Sequence, residues 1–158
     1  MGTLSKALGG LGGFIAGSDL LIQYLLNKAR PFIYTTALPP SILATALTAL
    51  EWAWKADDLR KQLWKNTDTF RREAVRLGFD VSPSETPIVP LRMGASDKAI
   101  LFSEKLMTEG IYVPAIRPPT VPAGTSRLRI SLMAVHTKEQ IDHLLLSLEK
   151  VGRELRLI

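Results

Sequence analysis

The longest apolar pattern in the chain has helical spacing and begins after Pro39-Pro40. Its first apolar positions follow one another at spacings of four, three and four residues: Leu43, Leu47, Leu50 and Trp54. The same face is continued further along the chain by Leu63, Phe70, Ala74 and Leu77. An unbroken helix from Ser41 to Leu77 would be longer than roughly 50 Å at about 1.5 Å per residue. That length exceeds the interior of one small domain. The pattern therefore predicts a helix that links two bodies and ends at Gly78.

The first forty residues combine a glycine-rich stretch with two short apolar runs. Five glycines fall between positions 9 and 17, a density typical of backbone that turns sharply or lies against a ligand. Their spacing matches neither the dinucleotide-binding fingerprint nor a phosphate-binding loop of the Walker type. Phe14–Ala16 is a short strand candidate, and Ser18 caps a predicted helix that Pro31 ends. Phe32–Thr36 is predicted to form a further strand.

The second half alternates between strand and helix patterns. Strands are predicted over Ile88–Arg92, Ile111–Ile116 and Arg127–Leu132, and the last of these alternates polar and apolar residues with a period of two. A helix is predicted from Ser96 to Glu109, and an amphipathic helix follows Thr137, which forms a capping box with a glutamine three residues later. This order is typical of a small α+β layer.

Composition and charge exclude several classes of protein. Among the 158 residues, 46% are hydrophobic and 22% are charged, which indicates a globular chain. The absence of cysteine excludes disulfides and thiolate metal sites. The net charge is +5, but the basic residues are spread thinly and are not interleaved with aromatic residues, so we predict no nucleic-acid partner. No apolar run approaches the ~18 residues of a membrane span, and no signal peptide is visible, so we predict a cytoplasmic protein without a membrane partner.

Lys6 is the strongest candidate for a catalytic residue in the sequence. It precedes the glycine-rich stretch, and a lysine held by tight backbone among apolar residues loses solvation, which favours its neutral, nucleophilic amine. Such an amine suits a Schiff base with an aldehyde cofactor. Thr3 is placed to offer a hydroxyl to a phosphate. The alternative is an exposed lysine near a flexible end of the chain.

Two loops carry further candidate binding residues. Arg117 and Thr120 project from a proline-rich loop, and arginine is suited to a bidentate grip on a carboxylate. Thr35 and Thr36 precede Pro39-Pro40 and present paired hydroxyls to a phosphate. The alternatives are a surface loop between two strands for the first pair and capping of the next turn for the second.

His136 and His143 have no partners at metal-ligand spacing. His136 precedes a helix cap, and His143 lies on the helix that follows. Both are predicted to be structural, and no metal site is predicted.

Three segments together resemble the pyridoxal-phosphate-dependent α-oxoamine synthases. They are Gly2–Gly10, Ala29–Pro40 and Ile116–Ile130, which occur in family order and span nearly the whole chain. The resemblance implies an α/β fold, the C-terminal part of an aspartate-aminotransferase-like transferase. Residues 1–40 would be the trailing part of the large cofactor-binding domain, residues 41–78 the long linking helix, and residues 79–158 the small α+β domain.

The resemblance also implies a role for each candidate residue. Lys6 matches the lysine that holds pyridoxal 5'-phosphate, and Thr3 matches a threonine near the cofactor phosphate. Arg117 matches an arginine that grips a substrate carboxylate, and Thr120 matches a substrate-binding threonine. Thr36 matches a residue that reaches the phosphate of the neighbouring subunit in a homodimer.

The segment around Arg117 is most similar to the branch of the family that acts in biotin biosynthesis. That branch joins L-alanine to pimeloyl-CoA, or to a pimeloyl carrier protein, with loss of carbon dioxide. The resemblance covers only the family's second half and lacks the histidine and the carboxylate that contact the cofactor ring. We therefore expect a C-terminal fragment that is inactive by itself, with Met1 either an internal methionine or the start of a truncated reading frame. The alternatives are another α-oxoamine synthase, similar to glycine C-acetyltransferase, and a non-catalytic dimerisation module.

Overall fold

A computed structural model describes all 158 residues, which form two compact units, Met1–Asp57 and Asp58–Ile158. The helices and strands of the first unit are β1 (Gly2–Thr3), β2 (Gly13–Phe14), α1 (Asp19–Lys28), α2 (Arg30–Ile33) and α3 (Pro40–Trp54). Those that follow are α4 (Asp57–Arg76), β3 (Ile88–Gly94), α5 (Ser96–Thr108), β4 (Ala115–Ile116), β5 (Ser126–Ser131) and α6 (Lys138–Glu154).

The first unit is a short hairpin followed by three helices. Strands β1 and β2 pair antiparallel, with Gly2 opposite Phe14. The Ser18 side chain caps α1 by accepting a hydrogen bond from the Leu21 N–H at 3.4 Å, as the sequence predicted. Leu4 and Ala46 are its only buried hydrophobic residues. Backbone hydrogen bonds therefore stabilise the hairpin, and burial of apolar side chains contributes little.

The strand predicted over Phe32–Thr36 is wrong. Residues 30–33 form the four-residue helix α2, with Pro31 in its first turn, and the Tyr34 N–H bonds back to the Arg30 carbonyl at 3.0 Å. Proline suits the first turn of a helix because its fixed φ is helical and its missing N–H has no helical partner there. Pro31 therefore lies in the first turn of α2, after the end of α1.

The single long helix predicted from Ser41 to Leu77 is also wrong, because it is interrupted after Trp54. The Lys55 N–H bonds to the Trp52 carbonyl at 3.0 Å, which tightens the last turn of α3. Helix α4 starts at Asp57, and an acidic residue there is favoured by the helix dipole. The structure divides the chain at residues 57 and 58, whereas the sequence pattern predicted boundaries at 40 and 78. Assignment of residues 1–40 to a larger cofactor-binding domain stays a prediction.

The second unit is a three-stranded antiparallel sheet in the order β3-β5-β4 with helices around it. The strands predicted over Ile88–Arg92 and Arg127–Leu132 are confirmed as β3 and β5. The strand predicted over Ile111–Ile116 is reduced to its last two residues, because Pro114 has no N–H to continue the pairing. Alternation along β5 buries Leu128 and Ile130. They join a core formed with these other buried side chains: Phe70, Ala74, Val89, Leu91, Phe102, Leu106, Leu148 and Val151.

Helix α6 closes the second unit and begins as predicted. The Thr137 hydroxyl accepts from the Gln140 N–H, and the Gln140 side chain accepts from the Thr137 N–H, which completes the capping box. Gly78 ends α4 with φ of 100°, a conformation that glycine adopts easily. No helix in the structure combines the length and apolar character needed to cross a lipid bilayer.

Candidate functional site

The loop that joins β1 to β2 places Lys6 at its tip. The Leu4 N–H donates to the Gly12 carbonyl at 2.9 Å, and the Gly10 N–H donates to the Leu4 carbonyl at 2.8 Å. The Gly9 N–H then closes a tight turn on the Lys6 carbonyl at 3.0 Å, with Gly9 at φ of 61°. These bonds use the backbone and leave the Lys6 amine free.

Two hydroxyls lie beside this lysine. The Oγ1 of Thr3 and the Oγ of Ser5 are 2.8 Å apart, and the Ser5 N–H donates to the Thr3 hydroxyl at 3.3 Å. The Thr3 hydroxyl also donates to the Gly12 carbonyl at 3.4 Å, which orients it within the hairpin. The sequence predicted Thr3 but missed Ser5. The signal was the Thr-Leu-Ser-Lys order, in which Thr3 ends β1 and Ser5 follows two residues later, directly before the lysine.

The apolar enclosure expected around Lys6 is not formed by this chain, since the side chain is exposed. The residues on either side of it, Ser5 and Ala7, are exposed as well, and the nearest buried residue along the chain is Leu4. The tight backbone expected at this position is present. The apolar surroundings have no source within the described residues, and the role of Lys6 stays a prediction.

Thr36 lies in the same unit but makes no bond to the hairpin. It is exposed in the extended segment between α2 and α3, and the preceding Thr35 N–H bonds to the Phe32 carbonyl at 3.5 Å. Its hydroxyl is therefore available to a group outside the chain.

Arg117 and Thr120 stand at the two ends of one turn in the second unit. The Thr120 N–H donates to the Arg117 carbonyl at 3.0 Å, around the two central prolines. The Arg117 guanidinium donates to the Pro118 carbonyl at 3.4 Å and has no carboxylate partner in the chain. Both side chains are exposed, so the turn presents a positive charge and a hydroxyl together.

The two histidines make backbone contacts. The Met133 N–H donates to His136 Nδ1 at 3.1 Å, and His143 Nε2 lies 3.2 Å from the Glu109 carbonyl oxygen. These contacts agree with the predicted structural roles. No three histidine or carboxylate side chains are grouped so that they could hold a metal ion.

Sequence comparison finds curated enzymes that are similar to this chain along its whole length. Residues 1–148 match the family described as aminotransferase class I and II. The 8-amino-7-oxononanoate synthase of Lysinibacillus sphaericus is 46% identical over 158 residues, which are 100% of this chain and 41% of that protein. The enzyme of the same name from Fervidobacterium nodosum is also 46% identical over all 158 residues, and the matched region is 40% of that protein. The chain thus spans about two fifths of the length of these curated relatives.

Solved structures show the same relationship at the level of the fold. The Sphingomonas wittichii serine palmitoyltransferase superposes with a TM-score of 0.93 at 33% identity, over 99% of this chain and 40% of that one. A structure of SPT with PLP as an internal aldimine gives 0.94 at the same identity and coverage. The 8-amino-7-oxononanoate synthase of Francisella tularensis gives 0.84 at 32% identity, over 98% of this chain and 44% of that one.

These matches confirm the predicted fold class, the C-terminal part of an aspartate-aminotransferase-like transferase, apart from the interrupted helix. They also confirm the resemblance on which that prediction depended, since its three segments fall within the matched length. The chain belongs to the aminotransferase class I and II family.

Proposed function

We propose that this chain is the lysine-bearing part of an 8-amino-7-oxononanoate synthase. The reaction is the decarboxylating condensation of L-alanine with pimeloyl-CoA, or with a pimeloyl carrier protein, in biotin biosynthesis. The observation that carries the proposal is the 46% identity to enzymes of that name over every residue of the chain. Serine palmitoyltransferase shares the fold at 33% identity, and the 46% identity of the two synthases over the whole chain is the reason that their reaction is proposed here.

The side chains of the hairpin fit pyridoxal 5'-phosphate by their chemistry. Lys6 offers a primary amine to the aldehyde. The hydroxyls of Thr3 and Ser5, 2.8 Å apart, would rotate to donate to the phosphate in place of their present bonds to the Gly12 carbonyl and to each other. When bound, the cofactor withdraws electrons from the bond broken at the amino acid's α-carbon. Thr36, exposed and without a partner in the hairpin, would reach the phosphate held by the other subunit of a homodimer.

Different residues of the chain would bind the amino acid substrate and transfer its proton. The Lys6 amine would act as the general base that takes the proton from the substrate's α-carbon. Arg117 binds the substrate carboxylate through paired N–H groups, and Thr120 adds a hydroxyl from the other end of the same turn. The backbone bond between Arg117 and Thr120 fixes the spacing of these two groups.

The complete reaction belongs to a longer polypeptide than these 158 residues, since the relatives are covered to about 41%. The chain lacks the parts that in the family contact the cofactor ring. We therefore propose a cytoplasmic homodimer as the active form and expect no turnover from the 158 residues alone.

Cofactor attachment tests the assignment of Lys6 separately from turnover. The purified chain is mixed with pyridoxal 5'-phosphate and reduced with borohydride, which fixes the cofactor on the lysine nitrogen, and the labelled residue is located by peptide mass spectrometry. We expect label at Lys6 and its loss in Lys6→Ala. Lys28→Ala, which removes an exposed lysine of α1 in the same unit, is the matched control and should keep the label. Equal labelling of Lys6 and Lys28 would contradict the proposal.

A further inference from the structure

The face of the second unit's sheet that points away from the buried core carries only positive charge. Arg127 and Arg129 alternate with the buried apolar residues of β5, so both lie on this face. Arg92 of β3 lies there too, because it is paired with Arg127. These three arginines are the only charged residues in the three strands, and residues 110–138 contain a single further arginine, a single lysine and no carboxylate.

Arg92 and Arg127 form a like-charged pair directly opposite each other on neighbouring strands. Such a pair destabilises a sheet, because the two Cβ atoms are only about 4.5–5.5 Å apart. Arg92 Nη1 is 4.0 Å from the Asp80 carboxylate oxygen Oδ2, and both side chains are more than half exposed, so this ion pair offsets little of the repulsion. Arg127 has no ion pair in the chain. An anion bound between the two guanidinium groups would remove the repulsion.

The Arg127 guanidinium is held in place beside the turn that presents Arg117 and Thr120. Its Nε donates to the Thr125 carbonyl at 3.0 Å, and its Nη2 donates to the Thr125 hydroxyl at 3.1 Å, which leaves Nη1 free to donate. On the side away from β3, Arg127 is paired with Ile116, the residue directly before Arg117. The pair of arginines therefore lies next to the candidate carboxylate-binding turn.

The proposed reaction brings two carboxylates to this part of the chain, one on the amino acid and one at the far end of the pimeloyl chain. Arg92 and Ile116 are both paired with Arg127, and since neighbouring strands lie about 4.8 Å apart, they are separated by about 10 Å. Once the substrates are joined, eight carbon–carbon bonds of about 1.5 Å separate their carboxylate carbons, which gives a reach of at most about 12 Å. A skeleton held at one end by Arg117 can therefore reach the arginine pair.

We infer that Arg92 and Arg127 bind the carboxylate at the far end of the acyl donor and so favour a donor derived from a dicarboxylic acid. The free Nη1 of Arg127 and the guanidinium of Arg92 donate to the carboxylate oxygens. A donor with an uncharged chain end leaves the two positive charges opposed and is disfavoured. This inference rests on the proposed function, since that reaction supplies the acyl chain.

Binding of free acids to the 158-residue chain tests the inference without turnover. Pimelate and heptanoate have the same number of carbon atoms and differ in the second carboxylate, and each is titrated at low ionic strength, followed by two-dimensional 15N NMR. We expect pimelate to shift the amide signals of Arg92 and Arg127 saturably, with a dissociation constant about fivefold lower than that of heptanoate. Equal constants for the two acids, or no shift at these two positions, would overturn the inference.

Variants at Arg92 separate a specific site from general attraction to a basic protein. Arg92→Gln should raise the dissociation constant of pimelate about fivefold and leave that of heptanoate unchanged, whereas Arg92→Lys keeps the charge and should stay within about twofold. Lys98→Gln removes one positive charge from an exposed position on α5 and should change neither constant. The same spectra report whether each variant is folded. Equal weakening in Arg92→Gln and Lys98→Gln would contradict a site at the arginine pair.

The titration fails separately from the proposed function, because it involves neither Lys6 nor the cofactor. Cofactor label at Lys6 without pimelate binding at Arg92 and Arg127 would reject the arginine site and leave the proposed function standing. Pimelate binding at the pair without label at Lys6 would support the arginine site and reject the assignment of the lysine.

Discussion

At the residue scale, Asn66 is the buried polar side chain that fixes the turn after β5. It is 5% exposed, and its Nδ2 donates to the Met133 and His136 carbonyls, both at 3.0 Å. We expect Asn66→Ala to lower the free energy of unfolding by about 2 kcal/mol, because two carbonyls lose their donor within the protein. Urea unfolding followed by circular dichroism measures the change. Gln62→Ala, which removes an exposed residue bonded to Asn66 at 2.7 Å, should cost less than about 1 kcal/mol; equal losses would contradict this account.

Glu73 gives the stability of α4 a dependence on pH. Its carboxylate accepts from Arg76 Nε at 2.6 Å and from Arg72 Nε at 3.4 Å. These two hydrogen bonds, that of Arg76 first, lower the pKa of the Glu73 carboxyl. A carboxyl whose pKa is lower in the folded state stabilises the protein above its unfolded pKa and loses that contribution as the pH falls through the folded pKa.

We therefore expect the difference in urea midpoint between the unaltered chain and Glu73→Gln to be largest near neutral pH. The difference should shrink as the pH is lowered through the acidic range in which glutamate titrates. Glu85→Gln, at an exposed glutamate with no ion pair, is the control and should give no such trend. A difference that grows towards acidic pH would contradict the assignment.

Some features of the candidate site could be predicted from the order of residues along the chain, and others could not. Thr3 and Lys6 were predicted from local features, their spacing and the glycines that follow, and local backbone bonds do form the turn between β1 and β2. Ser5 was missed because a serine hydroxyl in a loop is common, and only its 2.8 Å distance to the Thr3 hydroxyl distinguishes it. The apolar surroundings expected for Lys6 depend on atoms distant in sequence, and none of the described residues provides them.

At the scale of secondary structure elements, the start of α6 depends on its capping box. The Thr137 hydroxyl accepts from the Gln140 N–H at 3.3 Å, and the Gln140 Oε1 accepts from the Thr137 N–H at 3.0 Å. We expect Thr137→Ala to destabilise the chain by about 1 kcal/mol, because an N–H in the first turn loses its acceptor. Thr137→Ser keeps the hydroxyl and should stay close to the unaltered chain. Differential scanning calorimetry compares the three proteins, and a serine variant as unstable as the alanine variant would exclude the cap as the cause.

Strong periodicity predicted the elements of the second unit, while short or ambiguous signals failed elsewhere. Strand β5 and helix α6 were predicted because each buries one face of a regular pattern. Phe32–Thr36 is too short for its periodicity to distinguish a strand from a helix. Pro31 favours the helix because it lies in the first turn of α2. The break after Trp54 was present in the pattern, because the spacing of three or four residues lapses between Trp54 and Leu63 and Asp57 favours a new helix start.

At the scale of the whole molecule, the two units differ in how much apolar surface they bury. The second unit contains the chain's cluster of buried hydrophobic residues, in which Phe70 is fully buried. The first unit buries Leu4 and Ala46, while these large apolar residues of α1, α2 and α3 are exposed: Leu20, Tyr24, Phe32, Leu47, Trp52 and Trp54. Burial of apolar area is the main favourable term in folding. The first unit therefore has much less to stabilise it in the isolated chain.

This difference predicts the order in which a protease attacks the isolated chain. Thermolysin cleaves beside apolar residues in segments that open, so we expect the first cuts within residues 1–57 and a longer-lived product that retains residues 58–158. Intact-mass spectrometry over a digestion series identifies the products. Phe70→Ala should abolish the longer-lived product, because removal of this ring from the core costs about 3–5 kcal/mol. Early cleavage within residues 58–158 of the unaltered chain would show that the buried cluster does not make the second unit the more stable one.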